Sequence, residues 1–71
     1  MSTATTKPKY PEVTAIITDG NAFAIMGAVQ KALRRAGVPK EELDAYFTES
    51  TSGDYENLIA VAESWVNTEW N

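Results

Sequence analysis

Carboxylates are the most numerous ionisable side chains in this chain, ten Asp and Glu against six Lys and Arg. Glu41, Glu42 and Asp44 are close neighbours in sequence, and Glu49, Asp54, Glu56, Glu63 and Glu69 follow them. Such groups act as general acid and base, or hold a divalent cation, only when they share a partly desolvated pocket. Neighbouring positions on a helix point in different directions, and the run TSGDYEN (residues 51–57) lacks the ligand spacing of a calcium loop. Histidine and cysteine are absent, which removes the commonest general base and any thiolate nucleophile. Neither an enzyme nor a bound metal is expected.

A second candidate for chemistry is TDGNAFAIMGAVQKALRRAG, residues 18–37, with glycines at 20, 27 and 37. A phosphate-binding P-loop needs a lysine and a hydroxyl directly after its second glycine, and a dinucleotide fingerprint needs three closely spaced glycines. Neither spacing is present, and Asp19 would repel an anion at the helix start. Asp19-Gly20-Asn21 reads instead as a turn, and no cofactor is expected.

The charge is divided along the chain. Residues 1–40 carry six cations (Lys7, Lys9, Lys31, Arg34, Arg35, Lys40) against Glu12 and Asp19, whereas residues 41–71 carry eight anions and no cation. Phosphate contacts need Lys and Arg, so direct nucleic-acid binding by the C-terminal half is not expected. An acidic exterior suits a basic protein partner, with Glu41, Glu42, Asp44, Glu49, Glu56 and Glu63 as the candidate contact residues.

The elements that carry these groups follow from periodicity. Residues 1–11, with Pro8 and Pro11 and a run of Ser and Thr, read as a flexible arm, and residues 12–71 as a single small domain. EVTAIITD is a strand signal, with Val13, Ala15 and Ile17 on one face and Thr14, Ile16 and Thr18 on the other. No second strand is evident, so this one needs a partner from the arm or from another subunit. Helix 1 is expected from Ala22 to Ala36, capped by Asp19 or Asn21 and stopped at Gly37. Ile25, Met26, Val29, Ala32, Leu33 and Ala36 share its apolar arc. Helix 2 is expected to start with Pro39 at its first position and to bury Leu43, Tyr46 and Phe47. Helix 3 is expected from Ser52 or Asp54 to Thr68, burying Tyr55, Leu58, Ile59, Ala62, Trp65 and Val66. Trp65 reads as a packing anchor, and Trp70 as a lid or an exposed contact residue. The fold class is α+β, mostly helical, with one N-terminal strand followed by three amphipathic helices.

Gly27 stands apart within helix 1. It falls off the apolar arc, beside Phe23, Gln30 and Arg34, where a helix-interior glycine costs roughly 1 kcal/mol relative to alanine. Those four residues mark a second contact face, met either by the N-terminal strand or by a partner.

The combination GNAFAIMGAVQKALRRAGV, EEL, Phe47, SGDYENL and Trp65-Val66 resembles a family of short bacterial, phage and plasmid proteins. The resemblance covers residues 19–66 and implies no catalytic residue. It implies a setting: short acidic proteins of mobile elements often block host machinery, anti-CRISPR proteins among them. The expectation is therefore a non-enzymatic inhibitor or regulator in a bacterial host cytoplasm. It would block a basic host protein, such as part of a nucleic-acid-binding complex, through its acidic surface. The alternative is a self-associating structural or accessory protein that forms a homodimer through its N-terminal strand. No run approaches the roughly 20 apolar residues of a membrane span, and no membrane partner is expected.

Overall fold

The computed structural model describes residues 8–70. The elements follow in the order β1 (Tyr10–Ile17), α1 (Ala22–Arg35), α2 (Lys40–Ser50), α3 (Tyr55–Trp65) and β2 (Val66–Trp70). The α+β class and the strand-first order stand, but the single-strand expectation is corrected: β1 pairs in parallel with β2. Parallel neighbours need a long crossover connection, and here the three helices supply it. Positions 1–7 of the expected arm lie outside the described residues. Tyr10 and Pro11 already belong to β1, and the Lys9 N–H donates to the Ser64 carbonyl at 2.9 Å, satisfying an orphan acceptor near the end of α3.

β1 alternates as its sequence requires, with Val13, Ala15 and Ile17 buried and Thr14 and Ile16 exposed. Its register on β2 runs from Thr14 opposite Asn67 to Ile17 opposite Trp70, after an irregularity that separates this run from the Tyr10 and Val66 pair. The Asn67 amide donates to the Pro11 carbonyl within that irregular stretch, replacing ladder bonds lost there. In β2 the period of two places Val66 against the core, Thr68 half-buried and Trp70 at the same face's open end. Helix 3 ends three residues earlier than expected because Val66 turns extended immediately, at φ −143° and ψ 166°.

Capping sets the other boundaries. Asn21 is the α1 cap, accepting from the Phe23 N–H at 2.8 Å, while Asp19 accepts from the Asn21 N–H at 3.0 Å. Gly37 closes α1 at φ 85°, with bonds from the Gly37 N–H to the Arg34 carbonyl and from the Val38 N–H to the Leu33 carbonyl. This is the Schellman arrangement, and it needs a residue that tolerates the left-handed region. Pro39 is the cap of α2 rather than its first helical residue. Asp54 caps α3, accepting from the Asn57 N–H at 2.9 Å. Gly53 is required by proximity, since a Cβ there would lie 2.9 Å from the Cβ of Asn57.

The core gathers Val13, Ala15 and Ile17 of β1 with Ile25, Met26, Val29 and Leu33 of α1. Leu43 and Tyr46 of α2, Leu58, Ala62 and Trp65 of α3, and Val66 of β2 complete it. Three expected core positions are corrected: Phe47 and Tyr55 are exposed, and so is Ala36. α2 presents Leu43, Tyr46 and Ser50 inward, a narrow stripe that leaves Phe47 at its margin. Among the described residues no helix is long and apolar enough to cross a membrane.

The two helix-1 glycines give opposite expectations. Gly27→Ala should stabilise by roughly 1 kcal/mol, because it is helical and nothing lies within 4 Å of the added Cβ. Gly37→Ala should destabilise by about 1–2 kcal/mol, the cost of a left-handed alanine. Urea denaturation of the two variants measures both signs.

Candidate functional site

The acids expected to form one surface divide into two groups. Glu42, half-buried at the start of α2, accepts an ion pair from the Lys9 ammonium at 2.6 Å and a hydrogen bond from the Tyr10 hydroxyl at 2.9 Å. Glu49 accepts from the Trp65 indole N–H at 3.0 Å. Both were expected to face a partner, and the fold uses both internally. Glu41, Asp44, Glu56 and Glu63 are exposed, and Lys9 with Glu42 forms the single ion pair among the described residues. Of the eight anions in residues 41–71, Glu42 is therefore in an ion pair and Glu49, at an exposed position, in a hydrogen bond within the fold.

Trp65 is the hub of the internal group. Its ring stacks on Tyr10 at 5.9 Å and 29°, and meets Tyr46 edge-on at 5.7 Å and 72°. The Lys9 ammonium sits 4.4 Å from its centroid, within cation–π range. Residues from the start of β1, from α2 and from the end of α3 thus converge on one indole. Sequence reasoning placed Trp65 in the core but missed that its N–H selects Glu49 and that its face holds Lys9.

Protonation follows from these contacts. The hydrogen bond from Lys9, and then that from Tyr10, holds the Glu42 carboxyl below its ordinary value of 4.5. The hydrogen bond to Glu42 raises Lys9 above 10.5, and burial of the ring followed by its bond to Glu42 raises Tyr10 above 10.0. Burial also raises the Tyr46 phenol, against a smaller opposite effect of the neighbouring Ser50 hydroxyl. Neither the Tyr46 nor the Ser50 hydroxyl has a hydrogen-bond partner of good geometry among the described residues.

The second face expected on helix 1 points outward. Phe23 is 78% exposed, Arg34 is exposed, Gln30 is half-buried, and Gly27 has open space beside it. The N-terminal strand does not approach Gly27; β1 packs against the core side of α1 instead. Nothing in the structure accounts for a glycine at this position.

Two concavities adjoin the helices. One, of about 660 Å³, lies between β1 and α1 and is lined by Val13 and Ile16, by Ala24, Ala28 and Ala32, and by Glu12, Lys31 and Arg35. Another, of about 310 Å³, lies where the starts of α1 and α3 meet the end of α2. The Tyr55 hydroxyl donates to the Gly20 carbonyl beside it, tying α3 to the turn before α1. Among the described residues no group of three or more acids is placed to hold a metal ion.

No family model matches the chain, and no curated protein or solved structure matches it either. The resemblance to short phage and plasmid proteins therefore stands on its sequence pattern alone.

The Lys9, Tyr10 and Glu42 cluster has a two-sided pH dependence. The depressed carboxyl contributes stability that is present above about 4.5 and is lost as pH falls through its lower folded value. The raised Lys9 and Tyr10 groups contribute below about 10, and that share is lost as pH rises through their folded values. Melting temperature measured against pH should show a plateau between these limits. Glu42→Gln should lower the plateau and flatten its acid side, while an unchanged acid slope would show that the cluster contributes nothing. Because Lys9 is half exposed, added salt should shrink the effect.

Proposed function

We infer that the chain is a non-catalytic protein-binding module that engages a basic partner through the outer surfaces of α2 and α3. The observation that carries this reading is the exposure of Glu41, Asp44, Glu56 and Glu63 with no cation in ion-pair contact among the described residues. Six cations do occur in the chain: Lys7 lies outside the described residues, Lys40 is exposed at the first position of α2, Lys9 is engaged by Glu42, and Lys31, Arg34 and Arg35 lie in the last turns of α1. There they complement the negative end of the helix dipole. An uncompensated acidic surface raises the encounter rate with a basic protein and competes with phosphates for the same Lys and Arg side chains. The similarity to phage and plasmid proteins extends this reading to an inhibitor or regulator of anti-CRISPR type, acting on a host nucleic-acid-binding complex.

The test uses Glu41→Lys, Asp44→Lys, Glu56→Lys and Glu63→Lys together, sparing Glu42 and Glu49 so that the fold is retained. Wild-type chain on a support should retain basic proteins from host lysate, released by rising salt or by a polyanion, and the reversed chain should not. Equal retention by both, with unchanged circular dichroism, would defeat the reading.

A second reading, self-association through the N-terminal strand, has one observation in its favour. β2 occupies one edge of β1, and the two-stranded sheet leaves the other edge without a strand partner among the described residues, beside the alanine-lined groove. Sedimentation equilibrium over a wide concentration range should then show a dimer, and a concentration-independent monomer would remove this reading.

A further inference from the structure

The depression at the starts of α1 and α3 presents groups that the fold uses only in part, since Asp54 caps α3 through one oxygen and the Tyr55 hydroxyl bonds the Gly20 carbonyl while its ring stays half exposed. Met26 and Leu58 line it with apolar surface, and the rings of Phe23 and Tyr55 stand beside it, 78% and 50% exposed. Asp54 adds a carboxylate, and no Lys or Arg is among its lining residues. Ser50, 1% exposed, lines it as well, and the Ser50 hydroxyl has no hydrogen-bond partner among the described residues. A buried hydroxyl left unpaired is rare, and even when paired with the neighbouring Tyr46 hydroxyl the Ser50 oxygen keeps an acceptor lone pair for a donor arriving from outside.

We propose that this depression receives an arginine side chain of the basic partner. The proposal rests on the protein-binding reading above and locates its anchor. Arginine matches each part of the site: an apolar stem for Met26 and Leu58, and a planar cation for the faces of Phe23 and Tyr55. Its fork of donors suits the Asp54 carboxylate and the Ser50 oxygen. Lysine offers a comparable stem and charge, but its compact, strongly hydrated head lacks the planar fork that stacks on a ring and donates to two acceptors at once. The two helix starts that flank the site would favour an anion, but their caps oppose that use. Asn21 takes the Phe23 N–H and Asp54 takes the Asn57 N–H, and the Asp54 charge repels a second anion.

The test titrates the isotope-labelled full chain with N-acetyl-arginine amide, following backbone amide resonances. Saturable shifts are expected at Phe23, Ser50 and Tyr55, with the neutral citrulline analogue weaker by roughly threefold or more. Asp54→Asn keeps the α3 cap, since asparagine caps as well as aspartate, and should weaken arginine binding by a similar factor. Phe23→Ala, at an exposed position, should do the same, while Glu69→Gln, on β2 and away from the depression, should leave the site's affinity unchanged. Shifts spread over α2 and α3 without saturation, equal binding of citrulline, or shifts at these amides with inorganic phosphate in place of arginine would each overturn the proposal. Failure of the two ideas is separable. Loss of lysate binding in the acid-reversed chain without arginine binding here removes the pocket and leaves the reading. Arginine binding here with lysate binding unaffected by acid reversal removes the reading and leaves the pocket.

Discussion

The parallel pairing of β1 with β2 is the constraint on which the rest of the structure depends. Two parallel strands cannot be joined by a tight turn, so the chain between them must cross the sheet and return. Residues 18–65 do this with three helices whose apolar stripes cover one face of the strand pair. In a chain of 71 residues, closing both ends onto one sheet makes almost every element depend on every other. The Trp65 cluster reinforces the closure where it is weakest. Beyond Tyr10 the ladder register breaks, and there the Tyr10 stack, the Lys9 cation and the Glu42 carboxylate replace the missing backbone bonds.

This arrangement sorts the acidic residues. A carboxylate within reach of Lys9, the Tyr10 hydroxyl or the Trp65 indole serves the fold, and those on the outer surfaces of α2 and α3 do not. Equal formal charge along residues 41–71 therefore conceals unequal roles, and a binding surface assembled from every acid in that stretch would include two that hold the protein together. The same distinction separates the basic end of α1 from the acidic helices. Its cations answer the helix dipole, and Glu41 and Glu56 do the same in the first turns of α2 and α3, whereas Asp44 and Glu63 have no comparable local use.

Much of the architecture was legible in the sequence because its signals were local. The alternation of Val13, Ala15 and Ile17, the Asn21 cap, the Gly37 stop and the Asp54 cap each act within a few residues and set their elements directly. β2 was not legible in the same way. VNTEW continues an apolar helical face through Val66, and five residues give little room for a period of two to declare itself. Its β-branched Val66 and Thr68 and its Trp70, alternating with polar Asn67 and Glu69, are nonetheless a strand signal in retrospect. What decides the matter is the open edge of β1, a contact between residues some fifty positions apart that local pattern does not carry. The internal use of Glu42 and Glu49 was hidden for the same reason, since both depend on aromatic partners brought from other elements. Phe23 and Gly27 were legible as an unusual pair, and the structure adds that one is an exposed ring beside a depression and the other faces open space.

The most direct measurement of the central claim is a set of cross-strand nuclear Overhauser contacts between Ala15 and Thr68, and between Ile17 and Trp70. It is made on a sample in which labelled and unlabelled chains are mixed in equal amounts. Contacts confined to residues of the same chain, and unchanged on dilution, are the expected result. Contacts that pass from labelled to unlabelled chains would contradict it, because β1 would then be completed by a second subunit and the closure within one chain would be lost.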